Sequence, residues 1–202
     1  MEPNRSEIIE RIQRISRIHE VYLCEDPKFI WLPVPKVAIT SIKAALVESG
    51  LKLIKSDEGW TEDFDPDVFI WCFVRNPYDR ALSMCRYFGI EWENFLSRGQ
   101  QYIDDAFGPE PRRFSIHTVP NSFYTHIDEL PFSTAYRYEK LDLHWKELQT
   151  KIGRLPKLQR LNQKGNGHWV EHYLSPAHKI VHDMYAEDFE RLNYDPDIQQ
   201  YT

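Results

Sequence analysis

The sequence predicts an α/β domain with a mainly parallel central sheet flanked by helices. Three passages carry that prediction. In the first, the apolar run Phe29-Ile30-Trp31-Leu32 reads as a buried strand, and Ser41-Ile42-Lys43-Ala44-Ala45-Leu46 reads as a helix stopped by Gly50. In the second, the continuous apolar run from Val68 to Val74 reads as a strand buried on both faces, as in a parallel sheet. In the third, Ser133 to Tyr138 alternates like a strand, and Leu141, Trp145, Leu148 and Ile152 then fall on one face of a helix.

In chain order, residues 1–20 read as an N-terminal helix. Asn4-x-x-Glu7 has the form of a capping box, and Ile8, Ile12 and Ile15 share one face that packs onto the domain. Between the first strand and its helix lies the tight loop Pro35-Lys36-Val37-Ala38-Ile39-Thr40. A helix start presents unpaired N–H groups and about half a positive charge, which suits an anion. Lys36 adds a full charge, and Thr40 and Ser41 add hydroxyl donors. The loop is not a Walker A motif, because its Lys comes first and it holds no glycine.

The run from Asp57 to Asp67 is acidic and reads as a solvated loop entering the second strand. Arg75 stands at that strand's C-terminal end. Asn76 suits an N-cap, Pro77 the first helical position and Asp79 the first turn, and Gly89 ends the helix. Ser83 lies two turns in, where with Arg75 it would grip a second phosphate. Glu91 to Ser97 reads as a short helix. Residues 100–132 show no long periodicity and hold Pro109, Pro111, Pro120 and Pro131, so they read as an irregular loop region of the kind that often binds a ligand.

Lys151, Arg154, Lys157, Arg160 and Lys164 form a basic stretch, read either as solvated surface or as a flap over a phosphate. His168-Trp169-Val170-Glu171-His172 matches an inverted zinc-protease pattern, but Gly165-Asn166-Gly167 opens the segment and no metal is expected. The last helix carries the stripe Ile180, Val181, Met184, Tyr185, Phe189 and Leu192, with Asn193 ending it in a left-handed turn.

Two of these passages together, PKVAITSIK and FVRNPYDRALS, resemble the paired phosphate loops of sulfotransferases, in particular the carbohydrate sulfotransferase family. The resemblance extends to HTVPNS, YRYEKL and the closing helix, and so covers about residues 29–194. It implies a P-loop-like sulfotransferase fold and the donor 3′-phosphoadenosine 5′-phosphosulfate (PAPS). It places the donor's 5′-phosphosulfate at Lys36, Val37, Ala38, Ile39, Thr40 and Ser41, and its 3′-phosphate at Arg75 and Ser83. Lys164-Gly165 resembles a Lys-Gly pair that cytosolic sulfotransferases use on the 3′-phosphate. His117 would be the general base, and Asn121 stands where the family has Gln. Ile39 departs from the pattern, which has a small residue there. A β-branched side chain resists positive φ, so the loop should be shaped differently at that point.

Composition narrows the function classes. The 202 residues hold 42% hydrophobic and 14% aromatic residues, which fits one globular domain with a real core. The net charge of −6 argues against nucleic acid and against a polybasic membrane surface. Cys24, Cys72 and Cys85 are odd in number and lie in apolar surroundings, as expected of reduced thiols in a cytoplasmic protein. No apolar stretch of about 20 residues is present. The expected activity is sulfuryl transfer from PAPS to a hydroxyl of a small-molecule or carbohydrate acceptor. A nucleotide-dependent kinase and a non-catalytic nucleotide-binding scaffold are the alternatives.

Overall fold

The computed structural model describes residues 3–56, 68–159, 161, 169–173 and 176–201. The acidic run 57–67, Arg160, Lys164 and His168 lie outside the described residues. The chain divides into two compact units, Met1–Val74 with Tyr124–Asn162, and Arg75–Phe123 with Gln163–Thr202.

The first unit holds the sheet. Helix α1 (Arg5–Ile18) is closed at its start by the capping box. Asn4 Oδ1 accepts the Glu7 N–H at 3.1 Å, and Glu7 Oε2 accepts the Asn4 N–H at 2.8 Å. Ile12 and Ile15 are buried. Strands β1 (Tyr22–Glu25) and β2 (Lys28–Trp31) form a hairpin, followed by α2 (Ile39–Glu48), β3 (Leu53–Lys55) and β4 (Phe69–Val74). A small hairpin, β5 (His126–Ile127) with β6 (Leu130–Pro131), leads to β7 (Thr134–Arg137) and a 3-10 turn at Tyr138–Lys140. Helix α6 (Leu141–Ile152) then buries Leu141, Trp145, Leu148 and Ile152.

The α/β class holds, but the sheet is mixed rather than mainly parallel. Its order is β3-β1-β2-β4-β7. The pairings β2–β4 and β4–β7 are parallel, while β1–β2 and β1–β3 are antiparallel. The antiparallel part comes from a strand that the apolar runs did not reveal. Tyr22-Leu23-Cys24-Glu25 is short and half polar, yet it pairs on both sides. Cross-strand aromatics fix the register. Tyr22 sits opposite Trp31, and Trp31 opposite Trp71. The rings stack at 5.4 and 5.9 Å, and such contacts add about 0.5–1.5 kcal/mol each beyond burial. Because β2 and β4 run parallel, the loop after β2 leaves the sheet at the end where β4 terminates.

The second unit is helical: α3 (Pro77–Phe88), α4 (Trp92–Asp105), α5 (Arg113–Thr118), a 3-10 turn at Trp169–His172, α7 (Ala177–Met184) and α8 (Ala186–Arg191). Asn76 Oδ1 accepts the Tyr78 N–H at 2.9 Å to start α3, and Gly89 ends it in the left-handed region at φ 65°. The Tyr78 ring packs against Tyr173 and Phe189, each at 4.8 Å between centroids.

Helix α4 runs further than the sequence predicted, through Gly99 to Asp105. Gly99 is a site of close approach inside this helix. A Cβ there would lie 2.5 Å from Met184 Sδ and Cε on α7. The last helix is broken at Tyr185 (φ −120°, ψ 28°), and Asn193 is left-handed at φ 51°. Residues 100–132 are therefore mostly ordered elements, not an irregular region: the end of α4, α5, a 3-10 turn at Asn121–Tyr124 and the β5–β6 hairpin.

Candidate functional site

The loop after β2 is built from buried anchors and strained links. Pro33, Val34, Pro35 and Val37 are buried. Lys36 and Ala38 lie in the left-handed region at φ 68° and 56°, with Val37 between them outside it. A non-glycine residue costs roughly 1–2 kcal/mol there, and strain of this kind concentrates at binding sites. Alternation of this sort curls successive N–H groups toward one concave side, as in anion nests. The Ala38 carbonyl then accepts the Ile42 N–H at 3.0 Å, starting α2. The first-turn N–H groups of Ile39, Thr40 and Ser41 belong to the set that a helix cannot pair internally.

This corrects the expectation for Ile39. It is the first residue of α2 and takes helical angles, so its β-branch meets no left-handed strain. The positive φ falls on Lys36 and Ala38 instead. Thr40 is exposed. Ser41 is buried, and its Oγ accepts the Leu161 N–H at 2.9 Å, so its own hydroxyl hydrogen is what it has left to donate. Lys43 turns away from the loop: its Nζ bonds the Tyr22 hydroxyl and lies 3.5 Å from Glu20 Oε2. Burial opposes ionisation of Glu20, but the Tyr22 hydroxyl, Lys55 and Lys43 outweigh it and hold its carboxyl below the usual range.

In the second unit Arg75 begins where β4 ends. Its Nε and Nη2 each lie 2.7 Å from Asp79 Oδ2, one turn on. The first-turn acid read as a helix-start residue is thus also the partner of the candidate phosphate arginine. Ser83 is half-buried two turns along α3.

His117 lies in the last turn of α5. Its Nδ1 is 2.8 Å from the Arg113 carbonyl, which only accepts, so Nδ1 carries the hydrogen and Nε2 is the acceptor nitrogen of the neutral ring. The ring stands edge-on to Phe88 at 4.8 Å.

Around it lie residues that the sequence reading missed. Arg80 and Asp188 are buried at 1% and 0% exposure. Arg80 Nη2 donates to the carbonyls of His117 (2.9 Å) and Val119 (2.6 Å). Asp188 accepts from the N–H groups of Asn121 (2.8 Å) and Ser122 (2.6 Å) and from Asn121 Nδ2 (2.8 Å). Desolvation pushes the Asp188 carboxyl up, against the charge of Arg80 and the donors from Ser122 and Asn121. A signal for Asp188 was present, since it follows Val181 and Tyr185 at positions i+7 and i+3 on the buried face.

The remaining candidates have other partners. The Lys151 ammonium sits 3.5 Å from the Phe69 ring centroid, and Arg154 lies 3.5 Å from Asp26 Oδ2, so these two basic-stretch residues are engaged within the first unit. Glu171 and His172 stand on a 3-10 turn, with His172 Nε2 at 3.0 Å from Arg86 Nη2. Among the described residues no group of three or more His, Cys, Asp or Glu is placed to hold a metal, and no helix is long and apolar enough to cross a membrane. The three cysteines are buried and free, and burial pushes the thiols of Cys72 and Cys85 up to about 12. No family model, curated protein or solved structure matches the chain.

Proposed function

We propose that the chain is a sulfotransferase that moves a sulfuryl group from PAPS to a hydroxyl acceptor, a small molecule or a carbohydrate, in the cytoplasm. The observation that carries this reading is the first loop. It is a strained, glycine-free turn with left-handed residues at 36 and 38, ending on a helix N-terminus and carrying Lys36. A donor that ends in a phosphosulfate matches such a cradle in charge and shape.

On this reading Lys36 and the start of α2 neutralise the 5′-phosphosulfate end. Arg75 and Ser83 take the 3′-phosphate. His117 Nε2 removes the acceptor hydroxyl's proton. The acceptor oxygen forms a bond to sulfur while the bond from sulfur to the bridging oxygen breaks, and the electron pair leaves on the 5′-phosphate of adenosine 3′,5′-bisphosphate. Sulfuryl carries less negative charge than a terminal phosphoryl group, so fixed cations and helix N–H groups serve where a kinase would need Mg²⁺. The test is thermal: adenosine 3′,5′-bisphosphate should raise the melting temperature more than ADP or AMP, in chelator. A larger shift with ADP and Mg²⁺ supports a kinase instead. A bisphosphate shift without any sulfuryl transfer supports a non-catalytic nucleotide-binding protein.

A further inference from the structure

The stretch from His117 to Ser122 is held almost entirely by side chains from elsewhere in its unit. The carbonyls of His117 and Val119 accept from Arg80, and the Thr118 carbonyl accepts from the Tyr185 hydroxyl at 3.0 Å. The N–H groups of Asn121 and Ser122 donate to Asp188. Asn121 then reaches on from Asp188 to the Arg75 carbonyl at 3.1 Å. The two charged groups, on α3 and α8, are almost wholly buried. Burying an arginine and a carboxylate is costly, and covering a loop does not require it. What they provide is an arrangement fixed from both ends.

We propose that Arg80 and Asp188 are a buried positioning pair. They set the backbone of His117 from one side and that of Arg75, through Asn121, from the other. The inference rests on the role given above to His117 as the base. Neither residue touches the reacting atoms. Arg80 places His117 by donating from Nη2 to its carbonyl and to that of Val119, at a reach and in a plane that a lysine ammonium does not reproduce. Asp188 balances the charge of Arg80 and locks Asn121 and Ser122 at the far end of the stretch. Supporting shells of this kind are what hold a reactive side chain to within about 0.5 Å.

The experiment uses the full chain and two readouts. The first is the His117 ring resonance in nuclear magnetic resonance spectra, taken without donor or acceptor. It should be single and sharp in the wild type and should shift or broaden in Asp188→Asn and in Arg80→Lys. The second is hydrolysis of radiolabelled PAPS, with water as the acceptor. Each substitution should slow it by roughly 10- to 100-fold, the scale of a small misplacement of a reacting group.

In a His117→Ala background the same substitutions should cost less than about twofold, because pairs acting as one unit are not additive. If Asp188→Asn fails to fold, Arg80→Lys, which keeps the charge, carries the test. An unchanged His117 resonance in the folded variants overturns the proposal, as does an equal rate loss with and without His117. A wild type that is not stabilised by adenosine 3′,5′-bisphosphate overturns the transfer reading instead; there, or where the wild type hydrolyses no donor, the ring resonance alone decides the positioning role.

Discussion

Asp79 gives a sharp test of what Arg75 is for. Its carboxylate occupies the Nε and Nη2 edge of the guanidinium at 2.7 Å, with the two side chains only 15% and 18% exposed. If Arg75 meets a phosphate, Asp79 competes with it. A phosphate on the same guanidinium would sit roughly 5 Å from the carboxylate, where two unit charges repel by about 3 kcal/mol at an effective dielectric of about 20. Solvent at a partly exposed pair trims this to about 1–2 kcal/mol. Asp79→Asn keeps an acceptor oxygen for Arg75 and removes the charge. It should therefore tighten adenosine 3′,5′-bisphosphate about tenfold, since each 1.4 kcal/mol is a factor of ten. AMP, without the 3′-phosphate, should gain little. The cost in stability should be about 0.3–1 kcal/mol, because a first-turn acid also favours the helix dipole. Titration calorimetry at two salt concentrations measures both ligands. The reasoning is refuted if AMP tightens as much as the bisphosphate, or if the substitution weakens the bisphosphate as Arg75→Ala would.

Other expectations follow from the same geometry. Lys36→Ala should cut turnover roughly 10²–10³-fold, the usual cost of losing one preorganised donor at a developing charge, and donor affinity far less; steady-state kinetics with saturating donor separates the two. His117→Ala should lower turnover by about 10²–10⁴ with donor binding unchanged, and near-normal turnover would remove it as the base. Gly99→Ala should cost about 1–3 kcal/mol in denaturant melts by overpacking against Met184; in a Met184→Ala background the same change should be neutral or stabilising, and a persistent penalty there would refute the contact as its cause.

Much of the frame was legible because burial leaves a pattern. Strands β2 and β4 and helix α6 announced themselves through apolar runs and a one-face stripe, and the Asn4 and Asn76 caps through their residue types. Strand β1 did not, because Tyr-Leu-Cys-Glu is too short and too polar to show a period, and its place depends on partners distant in sequence. Helix α4 was legible only as far as Ser97, because the packing of Gly99 against Met184 that continues it is invisible in the sequence. In the candidate site, Lys36 and Arg75 were visible as charges at strand ends. The left-handed angles at Lys36 and Ala38 were not, since neither residue type prefers them. Arg80 and Asp188 drew no notice as charges in helical segments, although each falls on its helix's buried face.

On the sulfotransferase reading proposed above, Lys36 and Arg75 serve opposite ends of one nucleotide. A ligand-by-variant cycle of dissociation constants, measured in chelator, tests it most directly. The ligands are adenosine 3′,5′-bisphosphate, AMP and adenosine 3′-phosphate, and the proteins are the wild type, Lys36→Ala and Arg75→Ala. Arg75→Ala should weaken the bisphosphate at least about thirtyfold, the low end of the roughly 2–5 kcal/mol seen when one partner of a buried charge pair is lost, and leave AMP nearly unchanged. Lys36→Ala should weaken the bisphosphate and AMP and spare adenosine 3′-phosphate. If either substitution weakens all three ligands alike, the two residues do not read separate phosphates and the account is contradicted.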